Sequence, residues 1–297
     1  MTNLKTGFGL LVALSLLCFC ILIGTDMMAQ RGSQPQSSSE IVLTVNDPRP
    51  LAKAADFLEL KFGIAISYED VAWSYGGDIA RLVDTPYGRE IAQQNPQFKA
   101  VIPRGGSFDV KLLLDPVSRK PIPPVVNVLQ NVLTEYTARG NPGEFKLVPL
   151  GQDFSIVPNL ARDQTGRLVQ QRSPLDVPIS FPEAERDGLA TLRTICEAVT
   201  AAFGKKISPG TLSVSFFSNT LVRIGANNET ARDVLAKVLE ALRWQDPRNV
   251  GPLPKLSWRL FYGPDTQYYS LNVKGVEREE PTPAGGTRKV AVSRSPR

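Results

Sequence analysis

The 297-residue chain carries 34 Lys and Arg against 29 Asp and Glu, a formal net charge of +5, and its sequence pI is near 9.1. Histidine is absent, which rules out Ser-His-Asp and Cys-His nucleophilic machinery and the usual catalytic zinc sites. A hydrophobic fraction of 42% suffices for buried cores, and the length allows two ordinary domains with tails. The basic residues are scattered rather than clustered, so no nucleic-acid partner is expected.

Lys5 stands before an apolar run from Phe8 to Ile23, and the chain then turns polar after Ala29. A positive start, an apolar stretch and a small residue before a polar change form the pattern of a secretory signal. Residues 1–29 are therefore expected to be a signal peptide or, if uncleaved, a membrane anchor, with membrane contact confined to residues 4–24. This places the body in the periplasm or cell envelope. Residues 30–39, rich in Gln and Ser, read as a linker. Cys18 and Cys20 lie inside the apolar run, so Cys196 is the one cysteine of the body. A single thiol forms no internal disulfide and no cysteine metal cage. Its place on the apolar stripe of a helix marks it as a small buried hydrophobe.

Along the body, Ile41 to Val45 alternates as a strand. Pro50 opens a helix with Leu51, Ala54, Ala55, Leu58 and Phe62 on one side, stopped at Gly63. Ile64 to Tyr68 alternates as a second strand, and Phe108 to Leu112 as a third. Asn127 to Leu133 then repeats Val and Leu at helical spacing. Phe145 to Val148, a turn at Gly151-Gln152-Asp153 and Phe154 to Val157 follow as a hairpin. The second half returns to this order. Leu175 to Phe181 reads as a strand, and Leu189, Leu192, Ile195, Cys196, Val199 and Phe203 line a helix stopped at Gly204. Leu212 to Phe217 and Leu221 to Ile224 read as strands. Asp233 to Leu239 matches the earlier helix, and Trp258 to Phe261 and Tyr269 to Val273 flank the turn Gly263-Pro264-Asp265. A helix followed by a hairpin is thus written twice.

The fold class expected is α+β: two tandem two-layer βαββαββ-type sandwich modules after an N-terminal signal or anchor helix. Module 1 spans 40–160 with an insertion at about 71–104, a linker spans 161–174, module 2 spans 175–276, and 277–297 reads as a disordered tail. Two helices with one apolar stripe each cover one face of a small sheet, leaving the other face for solvent or a partner.

The order of elements, with Leu51 to Phe62, the run Gly63-Ile64-Ala65-Ile66-Ser67-Tyr68-Glu69-Asp70-Val71 and the later helix-hairpin, resembles the secretin and TonB short N-terminal domain family (STN-like). Glu69-Asp70 stands near that family's acidic position, and Ala231 to Leu242 resembles its second helix. The resemblance implies a domain that projects into the periplasm and contacts partner proteins, without catalytic residues. Envelope or outer-membrane proteins are then the expected partners, with self-association also open.

The stretch 68–104, which takes in the insertion and the end of the strand before it, carries the candidate ligand-binding residues: Tyr68, Glu69, Asp70, Trp73, Tyr75 and Asp78. Aromatics beside carboxylates on a long loop could stack on an envelope glycan or grip a small ligand; the plainer alternative is that Trp73 and Tyr75 cap the core. Paired carboxylates, Glu69 with Asp70 or Asp78 and Glu183 with Glu185, would be needed for a histidine-free hydrolase. No phosphate loop or calcium-loop spacing is present. The reading is a non-catalytic docking protein with no cofactor and no metal.

Overall fold

The computed structural model describes residues 39–95, 100–115, 121–249, 251–283 and 285–294. The predicted leader and nearly all of the first linker, residues 1–38, lie outside the described residues. No helix among the described residues is long and apolar enough to cross a membrane.

The first half runs β1 (Ser39–Asp47), α1 (Pro50–Phe62), β2 (Ile66–Glu69), β3 (Ile79–Arg81), α2 (Pro86–Gln94), β4 (Val101–Pro103), β5 (Gly106–Leu114), α3 (Val125–Ala138), β6 (Glu144–Leu150) and β7 (Asp153–Arg162). After β8 (Leu168–Gln170), the second half runs β9 (Pro178–Asp187), α4 (Gly188–Phe203), β10 (Ile207–Pro209), α5 (Val214–Ser218), β11 (Thr220–Thr230), α6 (Ala231–Ala241), β12 (Arg243–Trp244), β13 (Leu256–Gly263) and β14 (Tyr268–Gly275). A last hairpin, β15 (Glu277–Pro281) and β16 (Thr287–Ala291), closes the described chain. The molecule is mixed α/β, with six α-helices among the described residues.

Local chemistry explains the helix limits. Pro50 opens α1, where its fixed φ is already helical and its missing N–H costs nothing. Gly63, at φ 65°, ends that helix in the left-handed region, and Gly204, at φ 79°, ends α4 the same way. The Asp187 carboxylate accepts from the Ala190 N–H at the start of α4, and the Thr230 hydroxyl accepts from Asp233 at the start of α6.

The two helix-hairpin units, α3–β6–β7 and α6–β13–β14, meet in one seven-stranded sheet of order β10-β14-β13-β2-β7-β6, with β8 added to β7. In the first half β2 lies parallel to β7, and β7 antiparallel to β6. In the second half β10 lies parallel to β14, and β14 antiparallel to β13. The halves join where β13 runs parallel to β2, with Arg259 opposite Tyr68 and Leu260 opposite Glu69. Each half keeps a further small sheet, β1·β5 in the first and β9·β11·β12 in the second.

Strand alternation places the two cores on opposite faces of the shared sheet. Ile66, Tyr68 and Ile156 pack with Leu51, Leu58, Leu129 and Val132 from α1 and α3. Trp258, Leu260, Tyr269 and Leu271 pack with Leu192, Ile195, Val234 and Leu235 from α4 and α6. Because Leu260 sits beside Glu69, the far face of β2 lies on the second half's side. The sheet face expected to be left open is therefore covered at the centre by the other half's helices.

Four further expectations are corrected. Residues 212–217, read as a strand, contain α5 over Val214–Ser218, whose Phe216 packs edge-on against Phe217 and Trp244. The linker 161–174 is structured: β8 pairs with β7, and Ser173 and Asp176 form a capping box. The insertion at 71–104 is not a bare loop, since β3 pairs with β4 and α2 lies between them. The tail expected to be disordered forms β15–β16. That hairpin is tied to α1 by Lys61–Glu279 at 2.5 Å, and the following chain is tied back by the Lys255 N–H to Val292 O.

Candidate functional site

The six candidate residues divide between the seam of the two halves and the insertion. Tyr68 and Glu69 end β2 at the seam and Asp70 follows it, and all three are buried, Glu69 and Asp70 completely (0% exposed). A buried carboxylate must be paired and hydrogen-bonded, because leaving water otherwise costs several kcal/mol. Glu69 meets this with a bidentate Arg232: Nε donates to Oε1 at 2.8 Å and Nη2 to Oε2 at 2.7 Å. Ser155 Oγ donates to Oε1 at 3.2 Å, Ser173 Oγ donates to Oε2, and the Trp258 indole N–H lies 3.4 Å from Oε1. Arg232 also reaches Asp176. Burial works against the Arg232 charge, but the two carboxylates outweigh it and hold the guanidinium pKa above its ordinary value.

Asp70 forms a second cluster. Its Oδ2 accepts from Arg49 Nε at 2.7 Å and from the Tyr262 N–H at 2.9 Å, and its Oδ1 accepts from the Tyr68 hydroxyl at 2.8 Å. Arg49 also donates to Tyr262 O at 2.9 Å and stacks 4.5 Å from the Phe261 ring centre. Burial, reinforced by the Asp70 charge, pushes the Tyr68 hydroxyl well above its ordinary value, so it stays a neutral donor.

A third cluster joins α1 to the second hairpin. Arg259 Nη2 donates to Asp56 at 2.7 Å and to Glu59 at 2.9 Å, while its Nη1 donates to Ile66 O at 2.6 Å. Lys274 adds a contact to Glu59 at 2.8 Å and another to Asp56. For Asp56, partial burial would raise the pKa, but Arg259 and Lys274 together hold it below its ordinary value.

The remaining candidates lie elsewhere. Trp73 is buried with Val71, Ala72 and Ala161 in the second half's core, although its indole N–H has no partner. Asp78 is buried and accepts from Arg162 at 2.8 Å; burial keeps its pKa raised in spite of that guanidinium. Tyr75 is half-buried, with Arg162 5.7 Å from its ring centre. The hydrolase candidates Glu183 and Glu185 are surface residues paired with Arg223 and Arg243.

Sequence reasoning singled out the acids and missed Arg49, Arg232 and Arg259. Arg259 did carry a signal, since a charge inside the apolar run Leu256–Phe261 requires a buried counter-charge. A cleft of 760 Å³ opens beside the seam, lined among others by Ser67, Leu256, Trp258, Lys237, Lys255 and Arg294. Two of its basic groups bond within the protein: Lys255 to Asp153 at 2.6 Å, and Arg294 to Leu239 O and Leu242 O at the end of α6. The Cys196 thiol is buried, which pushes its pKa up to about 12 and leaves it unreactive. Among the described residues no group of three or more Cys, Asp or Glu is placed to hold a metal ion.

The seam thus uses its charges to hold two halves together: Glu59, Glu69 and Asp70 are buried there, while Asp56 and Asp176 at its margin remain partly exposed. On the outside, apolar side chains cross the β1·β5 sheet. Val42 is 53% exposed, Leu113 43% and Ile122 54%. Val42 pairs with Lys111, two residues from Leu113 on the same face, and the Ile122 N–H donates to Leu113 O at 2.9 Å. No family model, no curated protein and no solved structure matches this chain.

Proposed function

We propose that the chain is an exported, non-catalytic envelope protein that docks another envelope protein through the outer face of β1·β5. In this reading it consists of two tandem sandwich modules of the short N-terminal domain type found in secretins and TonB-dependent transporters. The carrying observation is three exposed apolar side chains, Val42, Leu113 and Ile122, that flank the Lys111–Glu40 ion pair on a surface that nothing in the described chain covers. A non-catalytic role is supported by the acids best placed for chemistry: Glu69, Asp70 and Asp78 are each closed from solvent and held by a guanidinium. The predicted leader supplies the route to the periplasm.

The test places a photoreactive side chain at position 113 in the full chain, expressed in its own envelope. The account expects a discrete adduct with an envelope protein, lost on Val42→Asp or Ile122→Asp while circular dichroism stays unchanged. Absence of any adduct, or an adduct indifferent to both substitutions, contradicts it.

A further inference from the structure

The register of the shared sheet equates the two halves position by position. Ile66, Ser67 and Tyr68 pair with Phe154, Ser155 and Ile156, as Ile207, Ser208 and Pro209 pair with Tyr269, Ser270 and Leu271. Pro149 pairs with Phe154, as Tyr262 pairs with Tyr269. Pro209 therefore occupies the position of Tyr68, and Pro149 that of Tyr262. At the seam those tyrosines join the halves: Tyr68 lies in the ladder opposite Arg259, and the Tyr262 N–H donates to Asp70. Proline has no N–H, so both outer edges of the large sheet are blunted at the positions that make its internal junction.

Two other edges are guarded as well. β9 carries Pro178 and Pro182. The far side of β5 is met by the Ile122 N–H at Leu113 O and by Asn141 Nδ2 at Ser107 O. β1 has no such device. Its nine residues, SEIVLTVND, contain neither Pro nor Lys, and among the described strands it pairs only with β5.

We propose that β1 is the edge through which a second copy of this chain adds, antiparallel and two-fold symmetric, with Leu43 opposite its own counterpart. The strand is self-complementary in that register. Ile41 meets Val45 on the inner face, where both already border the first core. Val42 meets Thr44 on the outer face, Glu40 meets Asn46 and Ser39 meets Asp47, so no like charges face each other. Two-fold pairing of one patch with itself is the commonest closed assembly, and an added strand satisfies the open backbone groups of the edge. The pairing also carries the surface bearing Ile122, Leu113 and Val42 across both copies. It builds on the docking reading of that surface and names one partner for its edge.

The experiment is native mass spectrometry of the purified full chain in detergent, without other envelope proteins. Wild type is expected as a dimer. Val42→Lys with Thr44→Lys sets ammonium against ammonium across the two-fold and should give monomers with unchanged circular dichroism. Val42→Lys with Thr44→Glu sets opposite charges there and should restore the dimer. A monomeric wild type, a dimer indifferent to the double lysine change, or a charge-reversed pair that stays monomeric each overturns the proposal. A monomeric wild type that still forms the position-113 adduct with a different protein overturns this inference while leaving the docking reading in place.

Discussion

Arg232 is 7% exposed on its side chain and sits between Glu69 and Asp176. Removing one member of a buried pair strands the other charge, whereas removing both can be nearly neutral. Arg232→Met should therefore cost about 3–5 kcal/mol in chemical denaturation. Arg232→Met combined with Glu69→Leu should cost less than Arg232→Met alone, and a double variant at least as unstable would show that Glu69 has sufficient other partners. This cluster was half legible in the sequence. Glu69 and Asp70 stood out as acids ending an aromatic strand, which suggested a ligand site. Their partners could not be read, because Arg232 is 163 positions away from Glu69 and only the folded seam brings them together. For Trp73 the sequence left both a stacking surface and a core cap open, and the structure shows the core cap: sequence shows an aromatic but not which core receives it.

The helices and hairpins that repeat were legible because each buries one stripe: Leu129 and Val132 in α3, and Leu235 and Val238 in α6. Periodicity failed where tertiary packing overrides it. Leu212, Val214 and Phe216 alternate as a strand would, yet Phe217 is the fully buried residue and α5 is the conformation that turns it inward. The C-terminal hairpin was hidden by its composition, since its strands are mostly charged and its stability comes from what it touches. Val276 is fully buried, its carbonyl accepts from Val292 N–H, and Arg294 binds the last carbonyls of α6. Deleting residues 277–297 should lower stability by about 1–3 kcal/mol, through lost caps and uncovered apolar surface. An unchanged urea midpoint would mean that the hairpin contributes nothing to the fold.

At the scale of the whole molecule, the sequence announced two modules but not their union. The expectation was a pair of sandwiches, each with one open sheet face. In the structure β13 joins β2, the two helix layers take opposite faces, and three polar clusters cross the seam, two by ion pairs and that of Asp70 by hydrogen bonds of Arg49 and Asp70 to the Tyr262 backbone. Nothing in the alternation of Ile66, Ser67, Tyr68 and Glu69 distinguishes a face left for water from one covered by a distant helix. A body whose halves share a sheet and buried ion pairs should unfold as one unit rather than half by half. Scanning calorimetry of the full chain tests this union most directly. One unfolding transition, with calorimetric and van't Hoff enthalpies in agreement, is the predicted result; two separable transitions, one for each half, would contradict it.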